Sequence, residues 1–378
     1  NVIVKLKNKY EKSKFFLSAI IVLLSCESAK KETASEDEYL GATKTDVFHY
    51  KGEKHFKNIR QLTYGGDNAE AYWSFNDKML VFQVTNKKWG AVCDQIYVTN
   101  WEKSDMENKP AQLVSTGYGR TTCSYFLPGD TSILYSSTHV ADTNCPIKPE
   151  KRAEGKYVWP VYPSFDIYVA DLGGEISDTL TNTPGYDAEA TVSAQGDKIV
   201  FTSMRTGDLE LFTMDIDGGN VKQITSELGY DGGAFFSPDG KKLIFRSSRP
   251  TSEEDVKIYK DLLAEGLVMP KEIELYMCDV DGSNMKQLTS FGKANWCPFF
   301  LPGGDKVIFA SNYETEKGFP FNLYTIDTLG NNLEKITEDK VFDAFPVFSN
   351  NGKYLVFSSN RNNGGTHETN LFMAEWKD

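Results

Sequence analysis

Metal-binding and catalytic signatures are scarce in this sequence. Its 378 residues include six Cys and four His. No two Cys form a C-x-x-C pair, which argues against a zinc site. No G-x-S-x-G elbow occurs, so the nucleophile of an α/β-hydrolase is missing. Basic residues are outnumbered, 41 Lys and Arg against 53 Asp and Glu, for a net charge of −12. Nucleic-acid binding, which leaves a basic footprint, is therefore not expected. Beyond residue 24 no apolar run is long enough to cross a membrane.

Tight turns and short apolar strands are abundant instead. The stretch Phe236-Ser-Pro-Asp-Gly followed by Leu243-Ile-Phe reads as two strands joined by a turn. Pro presets one turn dihedral, Asp bonds its own backbone and Gly accepts a positive φ. Five further copies align with it: Trp73-Ser-Phe-Asn-Asp, Phe126-Leu-Pro-Gly-Asp, Val192-Ser-Ala-Gln-Gly, Phe300-Leu-Pro-Gly-Gly and Phe348-Ser-Asn-Asn-Gly. Successive copies are 53, 66, 44, 64 and 48 residues apart. A base period in the mid-forties with insertions is that of four-stranded propeller blades. The prediction is an all-β fold, a six-bladed antiparallel β-propeller.

Taken in order, the chain opens with Lys5, Lys7, Lys9, Lys12 and Lys14 before the apolar run Phe15–Leu24. Residues 1–25 read as a signal peptide. The ending Leu23-Leu24-Ser25-Cys26 resembles a bacterial lipobox, with Cys26 as the lipidated residue. Residues 26–56 form a polar tether and leader, and the propeller spans 57–378. Lys57-Asn-Ile-Arg-Gln-Leu-Thr matches the outermost strands Val221-Lys-Gln-Ile-Thr and Met285-Lys-Gln-Leu-Thr. It is expected to complete the last blade and leave no open edge. Asp215-Ile-Asp-Gly and Asp279-Val-Asp-Gly lack the remaining spacing of a calcium loop and read as hairpin turns.

Units two and four are enlarged between second and third strands. In unit four, residues 250–271 predict a helix with a Thr251/Glu254 capping box and an apolar stripe that packs on the blades. Both insertions open on the face from which the inner strands enter. The entry residues are Asn68, Thr121, Asp187, Asp231, Asn295 and Asp343; two places later stand Glu70, Cys123, Glu189, Gly233, Cys297 and Phe345.

The first set predicts a polar ring at the channel mouth, with Glu70, Glu189 and Arg120 close by. Such a mouth suits a cation or a small polar or cationic ligand held by convergent oxygens. The structural alternative is that each Asp or Asn caps its own loop. His139 beside Arg120 and a carboxylate would suit an enzyme acting on polysaccharide or peptide. An aromatic rim at Tyr157 and Trp159 would suit a protein partner. For the cysteines, Cys123–Cys145 is the preferred disulfide and Cys93–Cys145 the second choice.

In register across all six units, the chain resembles the WD-type repeats of TolB-like propellers over residues 57–378. Further stretches of likeness are Tyr186-Asp-Ala-Glu-Ala and Tyr230-Asp-Gly-Gly-Ala-Phe-Phe. The resemblance implies a periplasmic interaction scaffold; together with the lipobox the expectation is a monomeric, non-catalytic scaffold with no cofactor, lipid-anchored in the periplasm or at the surface of a Gram-negative bacterium. Its partner would be an envelope protein or a small ligand.

Overall fold

The computed structural model describes residues 48–147, 157–270, 272–316, 318–338, 340 and 342–378. Residues 1–25, Cys26 and the tether as far as residue 47 lie outside the described residues. Six four-stranded antiparallel sheets surround one axis. Blade 1 runs Asp67–Trp73, Met79–Asn86, Ala91–Asn100 and Gln112–Leu113 from inside out. Blade 2 runs Thr121–Phe126, Ser132–Ser137, Asp166–Asp171 and Ile176–Thr179, and blade 3 runs Asp187–Val192, Lys198–Ser203, Glu210–Asp215 and Lys222–Gln223. Blade 4 comprises Asp231–Phe236, Lys242–Ser247, Glu274–Asp279 and Lys286–Gln287. Blade 5 comprises Asn295–Phe300, Lys306–Ser311, Asn322–Asp327 and Glu334–Lys335. Asp343–Phe348, Tyr354–Ser359 and Asn370–Trp376 make the first three strands of blade 6, and Phe56–Gln61 pairs with the last of them.

The recurring turn has a physical basis in every blade. Its fifth residue is Asp77, Asp130, Gly196, Gly240, Gly304 or Gly352, and all six have φ between +58° and +74°. Only Gly, and less readily Asp or Asn, enters that region without a large steric penalty. Four turns also carry Ser in second place. Its hydroxyl accepts the amide that opens the next strand, Met79 N to Ser74 at 2.9 Å and Lys242 N to Ser237 at 2.9 Å among them. The following strands are buried on both faces: Leu243, Ile244 and Phe245 are each 0% exposed, as neighbouring blades stacked on either side require.

A second periodic feature lies inside each inner strand. Glu70, Cys123, Glu189, Gly233, Cys297 and Phe345 all have φ between +39° and +59°. At each of them the ladder to the second strand slips by one residue. These are β-bulges, which turn a side chain away from the direction that strand alternation would give it.

The insertions of blades 2 and 4 meet. Trp159–Pro160 pairs antiparallel with Leu267–Val268, and Val161 N donates to Gly266 O at 2.7 Å. Helix α1 (Glu253–Ala264) buries Tyr259 and Leu262 against this lid and blade 3. Its capping box is one residue later than predicted: Ser252, not Thr251, accepts from Asp255 N at 3.0 Å. Thr251 precedes the extended N-cap.

The disulfide also differs from the preferred pairing. Cys93 and Cys145 are bonded, with Cα atoms 5.7 Å apart, and Cys123 is a buried free thiol. The bulge at Cys123 directs its side chain to the channel, beside Glu70, and away from the loop that carries Cys145.

Candidate functional site

Under the lid lies a chamber of about 410 Å³ at the end of the propeller axis. Its walls divide by chemistry. Blades 1 and 2 contribute Glu70, Gln83, Asp94 and Arg120; the lid contributes Tyr157 and Trp159; blades 4 and 5 contribute Arg246 and Trp296. The indoles of Trp159 and Trp296 stand 5.4 Å apart at an angle of 56°.

Charge within the chamber is largely compensated. Arg120 pairs with Asp94, which also accepts from Thr85. Arg246 donates to Glu189 at 2.8 Å and to the Tyr230 hydroxyl at 2.9 Å, and its guanidinium lies over Trp159 at 5.1 Å. Glu189 receives four donors in all: Arg246, Tyr230 at 2.9 Å, Thr202 at 3.0 Å and Gly233 N at 2.7 Å. Glu70 has no such company. Burial pushes its carboxyl above the ordinary Glu value; the Cys123 thiol and Arg246 oppose the rise, while Glu189 and Asp94 add to it.

Four buried polar atoms in this wall have no hydrogen-bond partner: Glu70 Oε2, Gln83 Oε1, Arg120 Nε and Trp296 Nε1. Leaving a buried donor or acceptor unpaired costs about 1–3 kcal/mol. Ten other buried polar atoms among the described residues are unpartnered too; these four stand out because they belong to residues that line one cavity.

Of the residues anticipated from sequence, Glu70, Glu189, Arg120 and Trp159 are brought together here. Of the entry residues, Thr121 reaches this wall and the other five do not. Asp187, Asp231, Asn295 and Asp343 are at most 1% exposed and belong to the blade interiors. Asp187 binds Arg205 at 3.2 Å, Asp231 binds Arg249 at 2.7 Å and Asp343 binds Arg361 at 3.0 Å. In each case the Arg stands 18 residues on, two places beyond the end of the second strand. Asn295 donates to Ile273 O and Glu274, both at 2.9 Å, and accepts from Ser311. Asp231 Oδ1 and Asp343 Oδ1 are left unpartnered, but these residues lie inside separate blades and line none of the chamber wall, so they do not converge on a ligand. His139 also lies elsewhere, against Tyr168 at 4.6 Å and hydrogen-bonded to Ser137; burial lowers its pKa. Among the described residues no group of three or more His, Cys, Asp or Glu is placed to hold a metal ion.

Arg246 was missed in the sequence, although a signal existed. The residue after the second-strand aromatic is Gln83, Ser136, Thr202, Arg246, Ala310 or Ser358. One long cation in an otherwise small or neutral column demands a buried partner, and Glu189 supplies it.

Below the chamber the axis narrows to about 30 Å³ between Tyr72, Phe235 and the bulge residues. Tyr72, Tyr125, Phe235 and Phe299 follow with ring centroids 5.2–5.9 Å apart. Beyond this plug the turn side holds a second hollow of about 350 Å³, lined mainly by aromatic and proline side chains.

Residues 162–266 match the family model described as the TolB beta propeller domain. Among solved structures, the putative TolB of Agrobacterium tumefaciens is similar with a TM-score of 0.52 and 18% identity, over 83% of this chain and 91% of that one. The chain has the six-bladed β-propeller fold of that structure. TolB from Acinetobacter baumannii shares 19% identity over 83% of this chain and 64% of its own, with a TM-score of 0.48. Oligogalacturonate lyase from Vibrio parahaemolyticus shares 14% over 84% and 93%, with a TM-score of 0.46. Identities this low speak to the fold alone. No curated protein matches the chain. Among the described residues no helix is long and apolar enough to cross a membrane.

Proposed function

We propose that this TolB-like propeller is a non-catalytic binding scaffold of the bacterial envelope that seats a small polar ligand in the lidded chamber. The observation that carries this reading is the set of four unpartnered buried polar atoms in the wall of one cavity. A volume of about 410 Å³ falls in the ordinary range of small-ligand sites. The rigid blades hold Glu70, Gln83 and Arg120 opposite the aromatic lid, so little ordering is needed on binding.

A lyase or hydrolase working in the same chamber is the competing reading, and the raised carboxyl of Glu70 favours it. The enzyme arrangement anticipated from sequence needed His139, and that ring is packed on Tyr168 instead. The scaffold reading is tested by equilibrium dialysis of the purified protein against small molecules extracted from the envelope, with mass spectrometric detection. The wild type should retain a compound that Trp159→Ala and Arg120→Met do not. Equal retention by all three proteins overturns the chamber as the site, and turnover of the retained compound overturns the non-catalytic reading. Attachment through Cys26 rests on the Lys-rich start and Leu23-Leu24-Ser25-Cys26. Fatty-acid labelling should disappear in Cys26→Ser, and labelling that persists would refute the anchor.

A further inference from the structure

We infer that the chamber's ligand is an uncharged polyhydroxylated ring compound, a neutral sugar of one or two rings. This rests on the chamber being a binding site. Three observations lead to it independently.

The first is charge. Arg120 is matched by Asp94 and Arg246 by Glu189. A charged ligand would shed its hydration without meeting an unmatched opposite charge, a loss that a buried site cannot easily recover. Glu70, the remaining acid, is biased by burial toward its neutral form, which weakens it as a lure for cations.

The second is the pattern of free hydrogen-bonding atoms. Gln83 Oε1 accepts, Arg120 Nε–H and Trp296 Nε1–H donate, and Glu70 Oε2 accepts or donates according to its protonation. Donors and acceptors are therefore mixed around one space. A hydroxyl is the group that answers both kinds at a single atom.

The third is shape. Trp159 and Trp296 both line the chamber with their indoles inclined at 56°; Arg246 lies over one face of Trp159 and Phe321 stacks on one face of Trp296, so at most one face of each ring is open to a ligand. A sugar ring has C–H faces for such surfaces and hydroxyls around its rim. The lid pairing of Trp159–Pro160 with Leu267–Val268 covers this side, which favours a compact ligand over a through-running peptide.

The experiment is calorimetric titration of the protein with glucose, galactose, cellobiose and maltose, beside galacturonic acid, glucosamine and the tripeptide Gly-Ser-Gly. At least one neutral sugar should bind tighter than every charged probe and the tripeptide, with changed tryptophan fluorescence. Gln83→Leu replaces a carboxamide whose Oε1 is unpartnered at nearly constant volume and should melt no lower than wild type, whereas Trp296→Phe also trims an indole stacked on Phe321, so its melting temperature is read beside its sugar affinity. Each should nevertheless weaken the sugar about tenfold. Tighter binding of the uronic acid, the amino sugar or the peptide, lost in Trp159→Ala, overturns the neutral-sugar inference and leaves the binding reading standing. Absence of binding by all seven probes at 10 mM overturns this inference, while the dialysis experiment decides the broader reading separately. Unchanged sugar affinity in Gln83→Leu and Trp296→Phe also overturns it.

Discussion

Two rings of residues, two places apart on the same six inner strands, have opposite fates. The entry ring holds Asn68, Thr121, Asp187, Asp231, Asn295 and Asp343, and all six are at most 1% exposed. Each ties its strand to a neighbour: three through an arginine 18 residues on, Asn68 through Thr369 O at 3.0 Å, Thr121 through Asp94 O at 2.9 Å and Asn295 through Ile273 O at 2.9 Å. The bulge ring holds Glu70, Cys123, Glu189, Gly233, Cys297 and Phe345, and its side chains face the axis. The entry ring repeats one chemistry because every blade has the same problem of anchoring its inner strand. The bulge ring repeats only a backbone conformation. Its side chains diverge because the axis is the one place where blades need not solve the same packing problem. Recurrence of residue type marks structure in this propeller, and divergence at a recurrent geometry marks the site.

That distinction predicts the largest effect at Arg361. Its guanidinium, in a side chain only 2% exposed, joins Asp343 at 3.0 Å to Glu53 at 3.0 Å and also reaches Phe48 O. Arg361→Ala would leave two carboxylates buried and stripped of this cation. A loss of about 3–5 kcal/mol is expected, measured by urea unfolding of the folded fraction. A loss below about 1 kcal/mol would remove the entry ring from the structural side of the comparison.

Much of this architecture was legible in the sequence, and the reason is local. The six turns, the second strands and the lid helix each rest on neighbours a few residues away, such as Ser237, Gly240 and the amide of Lys242. The chamber was harder to read. Trp159–Pro160 and Leu267–Val268 pair over only two residues and have no periodic pattern, so nothing in either stretch names the other. The entry aspartates looked like ligands because their arginines, two places past the second strands, were not connected with them. The disulfide depended on whether Cys123 points outward or to the axis, and a single positive φ decides that.

A smaller effect is expected beside Asp231, where Glu210 sharpens the comparison through pH. Glu210 is 3% exposed, and Oε2 has no partner. Burial, with Asp231 and Asp208 nearby, pushes its carboxyl up to about 8. An unfolded Glu titrates near about 4.3, so the folded protein holds this proton more tightly. The resulting stability is complete below the unfolded value and is lost as pH rises through about 8. Wild type should lose at most about 4 kcal/mol between pH 5 and pH 8.5. Glu210→Gln should flatten that slope and melt higher than wild type at the alkaline end. Parallel stability curves for the two proteins would show that Glu210 does not hold the extra proton.

The smallest effect on stability belongs to the bulge ring, at Glu70. This carboxyl is raised chiefly by burial, and Oε2 is unpaired. Since the folded value lies above the unfolded one, wild type is again favoured at low pH and penalised as pH climbs past the elevated value. Glu70→Gln keeps nearly the same volume and removes the charge. The two proteins should melt together at acid pH, and the variant should melt slightly higher at alkaline pH, by less than at Glu210. Burial raises the carboxyl of the entry-ring residue Asp231 as well, but there the group also pairs with buried Arg249, so Asp231→Asn is expected to lower stability at neutral pH. If Glu70→Gln instead destabilises the protein as severely as Asp231→Asn, Glu70 is holding the blades together. The bulge ring would then be structural too, and the chamber would lose the acid that faces its lid.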